Sequence, residues 1–89
     1  SSLFQSFDQQ SRRNLMNQEL EAFSDRPYID ERENYATISA FIDFCRSHGG
    51  DLNHKNSRGK RPVDIAEEQW IKNKSTDRVY CAFLDKTPY

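Results

Sequence analysis

The sequence has no long apolar run and no excess of charge of either sign, and each absence excludes a class of protein. No run approaches the roughly 18 apolar residues that a membrane-spanning helix requires. The 13 Lys and Arg residues nearly balance the 14 Asp and Glu residues, so no global field draws the chain to nucleic acid or to an anionic membrane. We therefore expect no membrane association, and any contact with a polyanion must depend on local charge.

Cysteine is also scarce, since only Cys45 and Cys81 are present, each in an apolar run. A secreted domain of this size usually carries more disulfides, which favours a reducing, intracellular location in the cytoplasm or nucleus. The spacings of Cys45, His48, His54 and Cys81 match no standard zinc pattern, and a buried free Cys acts as a small hydrophobe. We therefore expect no metal, no cofactor and no catalytic site.

Aromatic residues are plentiful, with six Phe, four Tyr and one Trp in 89 residues. A disordered chain lacks such residues, because it cannot bury enough apolar surface to offset its ordering entropy. The length predicts one small domain. Because the sequence begins with Ser1-Ser2 and no Met, we expect it to be a piece of a longer protein.

Apolar residues recur at helical spacing in four runs, and no run alternates with a period of two. The predicted helices occupy 11–24, 37–50, 62–71 and 77–84, with Gly49-Gly50 ending the second and Pro62 opening the third. Charged, turn-rich residues at 25–34 predict a loop or irregular insertion. The expected fold class is an all-α chain of short helices.

Two consecutive motifs carry a family resemblance. The thirteen residues FIDFCRSHGGDLN, at 41–53, are similar to I-V-x-L-L-x-x-H-G-A-D-V-N, the second helix and loop of an ankyrin repeat. The following residues resemble the opening of the next repeat, D-x-x-G-x-T-P-L-x-x-A, with Asn56 in its first position. The resemblance covers 37–71 closely, and 7–24 and 75–85 by position only. It implies structural repeat positions at Phe41, Ile42, Phe44, Cys45, Gly49, Asp51, Asn53, Gly59, Pro62, Val63 and Ala66.

The resemblance implies a short ankyrin-like solenoid of about two repeats, in which paired antiparallel helices carry a projecting β-turn finger at 51–61. Its parts would be a cap segment at 1–10, a degenerate repeat at 11–53 with an insertion near 25–34, and a terminal repeat at 54–89. Two repeats are fewer than the roughly three that a solenoid needs. We therefore expect aromatic caps (Phe4, Phe7, Trp70, Tyr80, Phe83), docking on a partner, or a homodimer through the solenoid ends.

The predicted finger contains HKNSRGKRP, the densest basic stretch of the chain. It matches no phosphate loop, which needs a second Gly and a preceding strand, and it lacks aromatic residues that would stack on bases. A solvated turn, a contact for an acidic protein surface, and a nuclear-import or nucleic-acid contact remain open. The carboxylates Asp30, Glu31 and Glu33 are a further candidate contact.

The function that the resemblance implies is a non-catalytic protein–protein interaction module, an adaptor or scaffold fragment that contacts another protein. The alternative is an oligomerisation or structural segment of a larger protein. The residues that the resemblance assigns to partner contact are His54, Lys55, Asn56, Arg58, Lys60, Arg61, Asp64 and Glu68. Arg61 and Asp64 depart from the family pattern, which has Thr and His at these positions.

Overall fold

Four α-helices account for most of the chain, which was described from a computed structural model. The backbone is described for 2–27, 29, 30 and 32–88, and the side chains for the same residues from 9 onward. The helices are α1 (Ser2–Ser24), α2 (Tyr35–Ser47), α3 (Pro62–Lys72) and α4 (Asp77–Lys86), with a 3₁₀ turn at Lys74–Thr76. The described residues contain no strand, which confirms the predicted all-α class. None of the described helices is long and apolar enough to cross a membrane.

Local chemistry sets the ends of α2 and the start of α3. Asn34 caps α2, because its Oδ1 accepts a hydrogen bond from the Thr37 amide at 2.8 Å. At the other end Gly49 has φ +102°, and the Gly50 amide donates to the Cys45 carbonyl at 2.8 Å. This is a Schellman ending, in which glycine takes the left-handed position without a Cβ penalty. Pro62 is the first residue of α3, as predicted.

Helix α1 begins well before the predicted start. Ser2 rather than Ser11 is its first residue, so the residues predicted as a cap segment are helical from 2 to 10. The stretch SLFQSFDQQ contains no Pro or Gly that would interrupt a helix, and apolar spacing alone understated its helical tendency. The proposed capping side chains of Phe4 and Phe7 lie outside the described residues.

An apolar core lies where α1, α2, α3 and α4 meet. Leu20, Ile42 and Phe83 are completely buried at its centre, and Phe23 stacks on Phe41 with ring centroids 4.7 Å apart. Helix α1 packs against α2 and α3, and α4 packs against the same two helices. The other buried members of this cluster are Ile38, Cys45, Leu52, Val63, Ala66, Val79 and Ala82.

The apolar stripe of α2 is narrower than the sequence predicts. Ile38, Ile42 and Cys45 are buried, whereas Phe44 is 54% exposed and stacks on the His48 ring at 4.2 Å. Phe44, a structural repeat position by resemblance, lies on the opposite side of the helix from Ile42 and therefore outside the buried stripe. Leu15 of α1 and Leu84 of α4 are likewise exposed rather than core residues.

The described residues of 25–34 are irregular, as predicted, and are fastened to the helical body. The Gln69 Nε2 group donates to Asp25 Oδ1 at 2.8 Å, and Arg78 Nη1 donates to the Glu33 carbonyl at 2.6 Å. Ile29 packs against the core. Of the carboxylates proposed as a contact, Asp30 is exposed, Glu33 pairs with Arg26 at 2.6 Å, and Glu31 lies outside the described residues.

Two phenylalanines test this assignment of the core. Replacing Phe83 with Ala should lower the free energy of unfolding by about 3–5 kcal/mol, because a fully buried ring leaves a cavity. Phe44→Ala is the matched control and should cost about 1 kcal/mol or less, since more than half of that side chain is already in water. Urea denaturation followed by circular dichroism measures both, and equal losses would contradict the packing described here.

Candidate interaction surface

The basic stretch folds into a tight turn between α2 and α3, here called the 54–60 turn. The Asn56 amide donates to the Lys60 carbonyl at 3.0 Å, and the Gly59 amide donates to the Asn56 carbonyl at 2.9 Å. Gly59 has φ +74°, a conformation that a side chain disfavours. Gly59 therefore supplies the left-handed residue of this turn.

Asn56 organises this turn from within. Its Oδ1 accepts hydrogen bonds from the amides of Arg58 at 2.8 Å and Lys60 at 3.1 Å. Its Nδ2 group donates to Glu21 Oε1 on α1 at 2.9 Å. These bonds occupy the polar atoms that a partner would contact, so the structure places Asn56 in a supporting position rather than at a free surface.

The connection that precedes the turn is also held to α1. Asn17 Oδ1 accepts a hydrogen bond from the Asp51 amide at 2.8 Å, and Leu52 is buried. Asp51 Oδ1 accepts from the Asn53 amide at 2.9 Å, as expected for a residue that ties a loop. Asn53 Oδ1 accepts a hydrogen bond from Arg61 Nη1 at 3.2 Å, which joins this connection to the start of α3.

Arg61 and Asp64 open α3 together. Asp64 Oδ2 accepts hydrogen bonds from the Arg61 amide at 3.1 Å and from the Arg61 Nε group at 3.4 Å. A carboxylate in the first turn is also favoured by the helix dipole. Asp64 thus holds the helix start from inside the first turn, and Arg61 is drawn into this local network.

Lys60 and Glu68 form an ion pair that joins the turn to α3. The hydrogen bond and charge of Lys60 lower the pKa of the Glu68 carboxyl below its ordinary value, and the nearby charges of Arg58 and Lys72 act in the same direction. Two of the residues assigned to partner contact therefore neutralise each other on the surface.

Three of the assigned residues remain exposed without such pairing. Lys55 and Arg58 are exposed at the turn, and in the described part of the chain neither side chain has a hydrogen bond or an ion pair. His54, also exposed, borders a shallow polar depression whose other lining residues come from α1 (Asn14, Asn17, Gln18 and Glu21). The open part of this surface consists of His54, Lys55 and Arg58.

The residues of α1 that support the turn were missed by the sequence reasoning. Asn17 and Glu21 are four positions apart and therefore share one face of a helix. That spacing is the only feature of the sequence that could have indicated a shared role for these two residues. It is equally typical of a solvated polar face. Their partners are 34 and 35 positions away along the chain, so only the tertiary fold identifies them.

The described residues give little support to a metal site or to a reactive cysteine thiol. They contain no group of three or more His, Cys, Asp or Glu side chains placed to hold a metal ion. Burial raises the pKa of the Cys45 thiol and also that of the Cys81 thiol, where Asp77 adds to the effect. A raised pKa favours the protonated thiol, which is the unreactive form.

Trp70 of α3 packs against one residue of the 3₁₀ turn and one residue of α4. Its ring is half-buried, stacks on Tyr80 at 5.4 Å and has Lys74 Nζ 4.1 Å from its centre.

A scan against protein-family models, a search of the curated proteins and a search of the solved structures each found no match.

The Lys60–Glu68 pair gives a measurable pH signature. Replacing Lys60 with Met should raise the pKa of Glu68 toward the ordinary value of 4.5, because the main cause of its lowering is removed. The stabilisation from a carboxyl with a lowered folded-state pKa is present above the unfolded value and is lost as the pH falls through the folded one. The stability difference between the native chain and Lys60→Met should therefore shrink on acidification through that range.

Carbon-detected NMR of the Glu68 carboxyl measures this pKa directly. Lys55→Met removes a neighbouring cation that does not act on Glu68, so it is the matched control and should leave the Glu68 pKa as in the native chain. An unchanged Glu68 pKa in Lys60→Met would show that the pair does not form and that Lys60 is available to a partner.

Proposed function

We propose that this chain is a non-catalytic protein-interaction module of ankyrin-like construction, and that its 54–60 turn presents Lys55 and Arg58 to an acidic protein surface. The observation that carries the proposal is the contrast within the turn itself. Its backbone and Asn56 are engaged in fixed hydrogen bonds, whereas the two cations are exposed. The turn therefore presents the positive charges of Lys55 and Arg58 to solvent in a geometry that is fixed before a partner binds.

The packing of the helices supports the ankyrin-like part of the proposal. Helices α1 and α2 run antiparallel, since Phe23 near the end of α1 stacks on Phe41 while the end of α2 at Gly49 meets Arg13. Helices α3 and α4 form a second pair, and the pairs contact each other through α1 with α3 and α2 with α4. Two helix pairs laid side by side are the arrangement expected of stacked helical repeats.

The charge distribution supports an acidic protein as the partner. Lys60 and Arg61 are engaged by Glu68 and Asp64, which confines the free positive charge to one part of the turn. Charges at the rim of an interface steer association and select partners more than they add affinity. A preformed turn also reduces the ordering cost that binding would otherwise incur.

A second candidate function is association of copies through the ends of the stack. Leu15 and Phe44 are exposed on the first helix pair, and Ile71 and Leu84 are exposed on the second. These side chains are the large apolar groups that a further helix pair would cover. Sedimentation velocity over a range of concentrations separates this function from the first, because only self-association raises the sedimenting mass.

A charge reversal at the turn tests the first function. An oligoglutamate peptide serves as the probe of acidic surfaces, and its dissociation constant is measured by calorimetry at low salt. Lys55→Glu combined with Arg58→Glu should weaken binding about tenfold or more, because two attractive contacts become repulsive. Added salt should also weaken binding to the native chain, since exposed charges are screened.

The matched control combines Arg32→Glu with Lys72→Glu, which changes the net charge equally at exposed sites outside the turn. It should bind the peptide with nearly native affinity. Equal weakening by both variants would reduce the effect to net charge and contradict a role for the turn. Tight binding of a single-stranded oligonucleotide, with no binding of the peptide, would replace the acidic-protein partner by nucleic acid.

A further inference from the structure

Ser57 lies at the tip of the 54–60 turn, between Lys55 and Arg58 in the sequence. The residue is exposed, and in the described part of the chain its hydroxyl has no hydrogen bond. Three other serines differ in this respect, since Ser24 donates to the Glu21 carbonyl, Ser47 to the Phe44 carbonyl and Ser75 to Asn73 Oδ1. Ser11 is also exposed but lies within helix α1 rather than in a turn. A serine hydroxyl is thus presented to solvent beside the two free cations.

We propose that Ser57 is a phosphorylation site for a serine/threonine kinase that prefers basic substrates, and that its phosphate releases an acidic partner. The inference rests on the function proposed above and concerns the regulation of that same surface. The kinase would transfer the γ-phosphoryl group of ATP to Ser57 Oγ. An Oγ–P bond forms, the bond from the γ-phosphorus to its bridging oxygen breaks, ADP leaves, and the hydroxyl proton passes to the kinase base.

The turn can carry a phosphate without losing its own bonds. Its hydrogen bonds join Asn56 to the amides of Arg58 and Lys60, and Gly59 to the Asn56 carbonyl. None of them uses the Ser57 hydroxyl. The space beside Gly59 is also open, since a Cβ built there would have no atom within 4 Å. Phosphorylation of Ser57 would therefore leave the hydrogen bonds of the turn intact.

The electrostatic consequence follows from the size of the added charge. A phosphoserine carries about −1.5 to −2 charges at neutral pH and three strong acceptor oxygens. That charge is close in magnitude to the combined charge of Lys55 and Arg58, and charge-assisted hydrogen bonds to a phosphate are stronger than neutral ones. The phosphate would pair with the cations within the chain, and an acidic partner would then meet a surface without net attraction.

The first part of the test asks whether Ser57 is modified in the folded chain. The purified 89-residue chain is incubated with ATP and a kinase of basic specificity, and the phosphorylated residues are mapped by peptide mass spectrometry. Ser75 is the internal comparison, because Lys72 and Lys74 give it a similarly basic context while its hydroxyl is engaged. Ser57 should accept phosphate at least tenfold faster than Ser75, and Ser57→Ala should remove that signal. Modification of Ser75 in preference to Ser57, or of neither, would overturn the proposal.

The second part measures the effect on binding, with the oligoglutamate peptide as the probe. Phosphorylation at Ser57 should raise the dissociation constant about tenfold or more, Ser57→Glu should raise it less because it adds a single charge, and Ser57→Ala should leave it unchanged. Circular dichroism should report the same helix content in all four proteins.

The two proposals fail in different ways. If the charge reversal at Lys55 and Arg58 weakens peptide binding but Ser57 phosphorylation does not, the phosphate switch is wrong and the interaction surface stands. If neither change affects binding, the interaction surface is wrong and the switch falls with it.

Discussion

The structure depends on the burial of one apolar core to which all four helices contribute. Leu20 of α1, Ile42 of α2 and Phe83 of α4 have no exposed surface, and Val63 and Ala66 of α3 belong to the same cluster. A chain of this length buries only about two thirds of its unfolded surface, and the described residues form no second buried cluster that could support a loop independently. The 54–60 turn keeps its position because it is attached to helices that meet at this core.

That attachment passes through a few polar side chains. Asn17 holds the Asp51 amide, and Glu21 holds Asn56, so α1 supports the turn from one side. Lys60 pairs with Glu68 on α3 and supports it from the other. These bonds lie at or near the surface, where water competes for the same polar groups, so they fix the position of the turn more than they stabilise the fold. The same bonds leave Lys55 and Arg58 as the cations that a partner can reach.

The sequence allowed the local features of the fold to be predicted, because each depends on adjacent residues. Gly49 ends α2 and Pro62 opens α3, as expected from their backbone chemistry. The early start of α1 was missed, since polar residues without Pro or Gly give no periodic signal. The position of Phe44 was missed because a motif match does not specify how wide the buried face of a helix is.

The candidate site was predicted less well than the fold, again for a physical reason. The sequence identified a cationic connection, but the division of its residues into supporting and free ones depends on distant partners. Asn56 is engaged by Glu21, 35 positions earlier, and Lys60 by Glu68 on the next helix. No local pattern reveals which cation finds a carboxylate in the folded chain. Of the eight residues assigned to partner contact, the structure leaves three exposed and without such pairing, namely His54, Lys55 and Arg58.

Amide NMR tests most directly the proposal that the 54–60 turn is a fixed surface that binds acidic groups. Titration of the isotopically labelled chain with the oligoglutamate peptide should shift the amide signals of 54–60 and leave those of the Trp70 and Tyr80 region in place. Amide exchange at Lys60 should be slow before any peptide is added, because its amide donates to Asn56 Oδ1. Shifts confined to other parts of the chain, or fast exchange at Lys60, would contradict the account.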